Sequence, residues 1–168
     1  EQLVKRRPEF NMEHRLLLSK INYDDETITL DEKKIPLQHT CFSHLDPENP
    51  ADMTQEEEEV IHRLLHNFIH SEKLTRHMNF LLEKGSMYLI HNENLLIHGC
   101  VPLTTEGDFK PVEFDGKKYQ GKALLDYFET ALRKAYQTPH SPDNYETDVL
   151  WYLWSGEGSS LFGKKAMT

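Results

Sequence analysis

An α+β fold is what this sequence predicts, on two observations. Apolar residues recur at helical spacing through residues 54–84 and again from Gly121 to Gln137. Around them, short apolar runs come in pairs about polar turns, near residues 27–37, 87–98 and 111–119, and read as local β-hairpins.

Residues 1–53 read as a linker followed by an edge hairpin. Residues 1–9 are charged, contain Pro8 and suit a linker or frayed end. Over residues 10–21, Met12, Leu16 and Leu17 suit a short helix, broken at Tyr23-Asp24-Asp25-Glu26. Thr27-Ile28-Thr29-Leu30 and Ile35-Pro36-Leu37 flank a polar turn as two strands. Pro36 has no amide to donate, which puts the second strand at an edge. Residues 38–53, with Pro47 and Pro50, are loop. They hold His39, His44, Asp46 and Asp52, but at spacings that match no metal motif.

Residues 54–84 predict a helical hairpin. Thr54-Gln55-Glu56-Glu57 is a capping box, in which the Thr54 hydroxyl and the Glu57 carboxylate each take the other residue's amide. Val60, Ile61, Leu64, Leu65, Phe68 and Ile69 then form one apolar stripe. The acidic run at residues 56–59 is a solvated first turn that suits the positive end of the helix dipole. His62, His66 and His70 lie four apart, a spacing that suits metal, but without a Glu or third ligand they read as a polar face. Ser71 caps a second helix with Leu74, Met78, Leu81 and Leu82 on its apolar side, and Gly85 should end it in the left-handed conformation. The short join implies that the two helices pack together.

Residues 86–102 read as a strand pair ending at His98. Met87-Tyr88-Leu89-Ile90 and Leu95-Leu96-Ile97-His98 flank an Asn-containing turn. Neither strand alternates with polar residues, so both faces should be covered. Residues 103–168 supply a second small hairpin around Asp115-Gly116, a helix over Gly121–Gln137, a break at Pro139 and Pro142, a last short helix near Tyr145 to Trp154, and a Gly/Ser/Lys loop.

The composition bounds the function. With 168 residues there is enough chain for one domain with a real core. Lys and Arg number 19 against 28 Asp and Glu, a formal net charge of -9, which argues against non-specific nucleic-acid binding. An anionic small substrate stays possible, because local charge decides that. A hydrophobic content of 38% is low for a self-contained domain. Either polar loops are long or apolar surface is completed by sequence outside this chain. Cys41 and Cys100 are too few for a disulfide scaffold and point to a reduced, cytoplasmic protein. No apolar run is long enough to span a membrane. The first and last residues suit a fragment of a longer protein.

Two places carry candidate chemistry. His98, at a strand end before Gly99, stands where an α/β architecture holds ligands and metals, while a His beside Gly is also an ordinary turn residue. The loop Ser155-Gly156-Glu157-Gly158-Ser159-Ser160 leads to Lys164 and Lys165. Backbone amides plus a cation suit a phosphate oxygen, though the spacing is not that of a Walker loop and a plain surface loop reads equally well.

Taken together, Ser71-Glu72-Lys73-Leu74, Gly85-Ser86-Met87-Tyr88, Asn92-Glu93-Asn94-Leu95-Leu96-Ile97-His98-Gly99-Cys100-Val101-Pro102, Leu153-Trp154-Ser155-Gly156 and Leu161-Phe162-Gly163-Lys164 resemble the class III fructose-1,6-bisphosphatases of Firmicutes. The likeness covers nearly the whole chain and is most specific from Ser71 onward. It implies a fragment of a calcineurin-like metallophosphoesterase: a β-sandwich flanked by helices, with two divalent metals, usually manganese, at the strand ends. It implies that His98 is a metal ligand, that Lys164 and Lys165 bind substrate, and that the partners are a sugar bisphosphate and the rest of the same polypeptide. The superfamily's Asp-x-His, Gly-Asp-x-x-Asp-Arg, Gly-Asn-His-Asp/Glu and later Gly-His blocks are absent from this chain, and on the family pattern they flank it. Cys100 departs from the neighbour found in the related serine/threonine phosphatases. Another calcineurin-like phosphatase, or a non-catalytic interaction module using residues 54–84, is the alternative.

Overall fold

The computed structural model describes residues 2–42, 44–138 and 143–163, in mixed helix and strand. Two compact units divide the described chain between Thr75 and Arg76.

The first unit opens with helix α1 (Gln2–Arg6), which buries Leu3. The expected frayed end is therefore ordered, because one apolar side chain anchors it. The helix expected over residues 10–21 is replaced by three 3₁₀ turns, Pro8–Phe10, Glu13–Arg15 and Leu18–Lys20. Asn11 closes the first turn in the left-handed conformation at φ 51°, which no continuing helix accommodates. Only Phe10 and Met12 of this stretch are buried hydrophobic residues.

Strands β1 (Ile21–Asn22), β2 (Thr27–Leu30) and β3 (Lys33–Pro36) form an antiparallel sheet in that order. Pro36 lies on an edge strand, as its missing amide requires. Asp31 and Glu32 make the tight turn, both at positive φ.

Helix α2 (Gln55–Ile69) carries the expected capping box. The Thr54 amide donates to the Glu57 carboxylate at 2.8 Å, and the Glu57 amide donates to the Thr54 hydroxyl at 3.3 Å. Helix α3 (Glu72–Lys84) is capped by Ser71, whose hydroxyl accepts from the Leu74 amide at 3.3 Å. Neither helix has a buried residue. Phe68 is 64% exposed and Phe80 62%.

The second unit holds hairpin β4 (Tyr88–His91) and β5 (Asn94–Ile97), with Tyr88 opposite Ile97 and His91 opposite Asn94. Its faces are not covered as the run of apolar residues implied: Leu89, Ile90, Leu95 and Leu96 are all exposed. Hairpin β6 (Val112–Phe114) and β7 (Lys117–Tyr119) turns through Asp115 and Gly116, and leads into helix α4 (Gly121–Gln137). Helix α4 packs on helix α5 (Tyr145–Ser155), which Asn144 caps through the Thr147 amide.

The core of this unit is aromatic. Phe114 stacks on Tyr127 at 4.7 Å and meets Phe128 and Tyr152 edge-on at 5.6 and 5.2 Å. Leu124, Leu125, Val149 and Leu153 complete it.

Gly85 is not in the left-handed conformation expected of it, since its φ is not positive. The end of α3 is instead closed from outside. The Arg133 guanidinium donates to the Gly85 carbonyl at 3.0 Å and to the Leu82 carbonyl, while Glu129 accepts from Arg133 at 2.8 Å. Glu129 also accepts from the Met87 amide at 3.0 Å, so α4 holds both the end of α3 and the start of β4.

Candidate functional site

His98 lies just beyond the last residue of β5, and its side chain is exposed. The two residues after it are fastened to the Gly/Ser loop. Gly99 takes φ +97°, which favours glycine. A Cβ there would overlap the Ser160 carbonyl oxygen and sit 3.2 Å from its carbon. The Cys100 amide donates to that same oxygen at 2.9 Å. The structure thus joins the two candidate stretches, the strand-end His-Gly and the loop after α5.

That loop is rigidly built from the core outward. The Tyr152 ring belongs to the aromatic core, and its hydroxyl accepts from the Gly158 amide at 3.1 Å. Burial pushes the Tyr152 hydroxyl pKa up, and the Gly158 amide works against that shift. A Cβ on Gly158 would meet Val112 at 2.5 Å and the Tyr152 oxygen at 2.8 Å, so only glycine lets the loop approach this closely. The Ser159 hydroxyl donates to the Leu153 carbonyl and accepts from the Leu161 amide at 3.0 Å. Ser159 and Ser160 are each 1% exposed.

Five backbone amides of this loop are spent inside it. The amides of Gly156, Ser159 and Phe162 donate to the carbonyls of Tyr152, Gly156 and Ser159, and those of Gly158 and Leu161 to side-chain oxygens. Successive tight turns consume them, where a phosphate nest would leave them pointing outward. Lys164 and Lys165 lie outside the described residues.

Three other histidines have local partners. The His44 ring nitrogen is 3.3 Å from the Glu57 carboxylate at the α2 cap. His66 and His70 stack at 4.0 Å, and a His70 ring nitrogen lies 2.8 Å from the His66 carbonyl. Among the described residues no three His, Cys, Asp or Glu side chains converge as a metal site. Cys41 and Cys100 are free and exposed, and among the described residues no helix is long and apolar enough to cross a membrane.

The residue that the sequence did not mark is Tyr152, and Ser160 was marked only as part of the loop, not as the contact of Gly99 and Cys100. The signal available for them was the pair of glycines at 156 and 158, spaced to let a buried aromatic ring sit against the loop.

The model of the family described as Firmicute fructose-1,6-bisphosphatase matches residues 1–168. The chain belongs to this family. It is 53% identical over 166 residues to "Fructose-1,6-bisphosphatase class 3" of Enterococcus faecalis, covering 99% of this chain and 26% of that protein. It is 51% identical over 166 residues to the proteins of the same name in Staphylococcus aureus strain Newman and Staphylococcus haemolyticus, covering 99% of this chain and 25% of each. The chain therefore spans about a quarter of the length of the curated relatives it matches. No solved structure matches it.

The family resemblance implies a divalent metal, and the geometry admits one donor toward it. An exposed imidazole on a turn whose next two backbone positions are fixed can offer a ring nitrogen to an ion. A complete ligand set does not come from the described residues.

Proposed function

We propose that this chain is a segment of the catalytic region of a fructose-1,6-bisphosphatase. The full-length enzyme would hydrolyse the 1-phosphate of fructose 1,6-bisphosphate, giving fructose 6-phosphate and phosphate in gluconeogenesis, in the cytoplasm. What supports this reading most is the likeness to class 3 fructose-1,6-bisphosphatases, 51–53% identical over 99% of the chain.

When bound, a pair of divalent ions, in this reading manganese, supplies a water made acidic and a positive clamp on the phosphoryl oxygens. Of this chain's residues, His98 would hold one ion through a neutral ring nitrogen. The fixed backbone of Gly99 and Cys100 would limit where that nitrogen can go. Lys164 and Lys165 would attract the substrate's phosphate charge. The remainder of the same polypeptide would cover the apolar stripes of α2 and α3 and the faces of the β4–β5 hairpin, which are exposed in this segment.

The test is phosphate release by the full-length protein from fructose 1,6-bisphosphate, other sugar phosphates and phosphopeptides, with and without added manganese. Metal-dependent release from fructose 1,6-bisphosphate above the rest supports the reading. A preference for phosphopeptides, or no release from the sugar bisphosphate, overturns it. Alanine at both Lys164 and Lys165 should raise KM for the sugar bisphosphate, and an unchanged KM removes their role.

A further inference from the structure

We infer that the Ser159–Ser160 turn is a positioning clamp for His98, acting through the backbone of Gly99 and Cys100. The inference rests on the reading of His98 as a metal ligand.

Three features carry it. Among the described residues the His98 imidazole has no hydrogen-bond partner of its own, so its position follows from the backbone that bears it. That backbone is fixed at both following residues by one atom, the Ser160 carbonyl oxygen, which accepts from Cys100 and excludes any side chain at Gly99. The oxygen is itself held still. Ser159 bonds both Leu153 at the end of α5 and the amide of Leu161, and Tyr152 ties Gly158 to the aromatic core. An unbroken set of contacts therefore runs from the best-packed part of this unit to the two residues beside His98.

The Ser160 hydroxyl makes no hydrogen bond among the described residues that would compete with this role of its carbonyl. It is buried and has no hydrogen-bond partner among the described residues. A buried hydroxyl left unmatched is costly and uncommon.

The experiment uses the full-length protein, loaded with manganese, then measures bound metal and manganese affinity by elemental analysis and titration, with circular dichroism reporting the fold. Gly99→Ala puts a Cβ against Ser160. Ser159→Ala loosens Ser160 without touching residues 98–100. Gly107→Ala is the control, because Gly107 has a similar φ of +90° but nothing within 4 Å of its Cβ position. Gly99→Ala and Ser159→Ala should each weaken manganese affinity on the order of tenfold, as loss of a ligand-orienting partner does, with the control unchanged. If Gly99→Ala does not fold, Ser159→Ala decides. Folded variants with wild-type affinity, while His98→Ala has lost its metal, overturn the clamp. A His98→Ala protein that keeps its full metal complement overturns the ligand reading beneath it.

Discussion

The Tyr152 hydroxyl accepts the Gly158 amide at 3.1 Å while the Tyr152 ring meets Phe114 edge-on at 5.2 Å. One side chain thus belongs both to the core and to the loop that reaches the His98 turn. Tyr152→Phe keeps the ring and orphans a buried amide. It should cost about 1–2 kcal/mol in denaturant unfolding and speed hydrogen exchange at Gly158. Wild-type stability with unchanged exchange would show that the loop does not depend on this bond.

Arg133 should be irreplaceable by Lys. Its fork reaches the carbonyls of Leu82 and Gly85 and the Glu129 carboxylate at once, and an ammonium cannot span that set. Because the side chain is part-exposed, the expected loss for Arg133→Lys is moderate, about 1–2 kcal/mol. Helical circular dichroism and urea midpoints check it, and a variant with the wild-type midpoint refutes the role.

Helix α2 should fray in acid. The Thr54 amide, and then the Thr54 hydroxyl, hold the Glu57 carboxyl below its ordinary value of 4.5, with His44 adding a smaller pull. A lowered folded value means the cap's contribution is fully present above the ordinary value. It is lost as pH falls through the lowered one. Amide exchange at Thr54 and Glu57 should rise over that acidic interval, and Glu57→Gln should flatten the dependence. An equally steep profile in the variant would place the titration elsewhere.

Phe68→Lys should lower the melting temperature of the full-length protein. In this segment Phe68 is 64% exposed and lies on the apolar stripe of α2. If the rest of the polypeptide covers it, a buried charge without a partner costs several kcal/mol. A melting temperature within error of wild type would mean that the stripe faces solvent in the whole enzyme too.

Much of the local structure was legible in the sequence because its causes are local. The Thr54–Glu57 box, the Asp115-Gly116 turn and the helical period of residues 121–137 act over a few residues, and each forms where expected. Residues 10–21 misled, because an apolar spacing compatible with a helix says nothing of Asn11, whose left-handed backbone ends the first turn. Gly85 misled for another reason. Its carbonyl is held by Arg133, far along the chain, while its amide still donates to Leu81 in the helix it follows.

The sequence by itself determined the α+β class, the caps and turns, the family and the candidate His98. These depend on residue type and short spacing, which a linear string displays. Only the tertiary structure decided that Gly99 and Cys100 rest on Ser160, that five of the loop's amides are bonded within it, and that the apolar residues of α2 and α3 stay exposed in this segment. Such facts depend on which distant surfaces meet and on which contacts remain unmade, and no local pattern carries that.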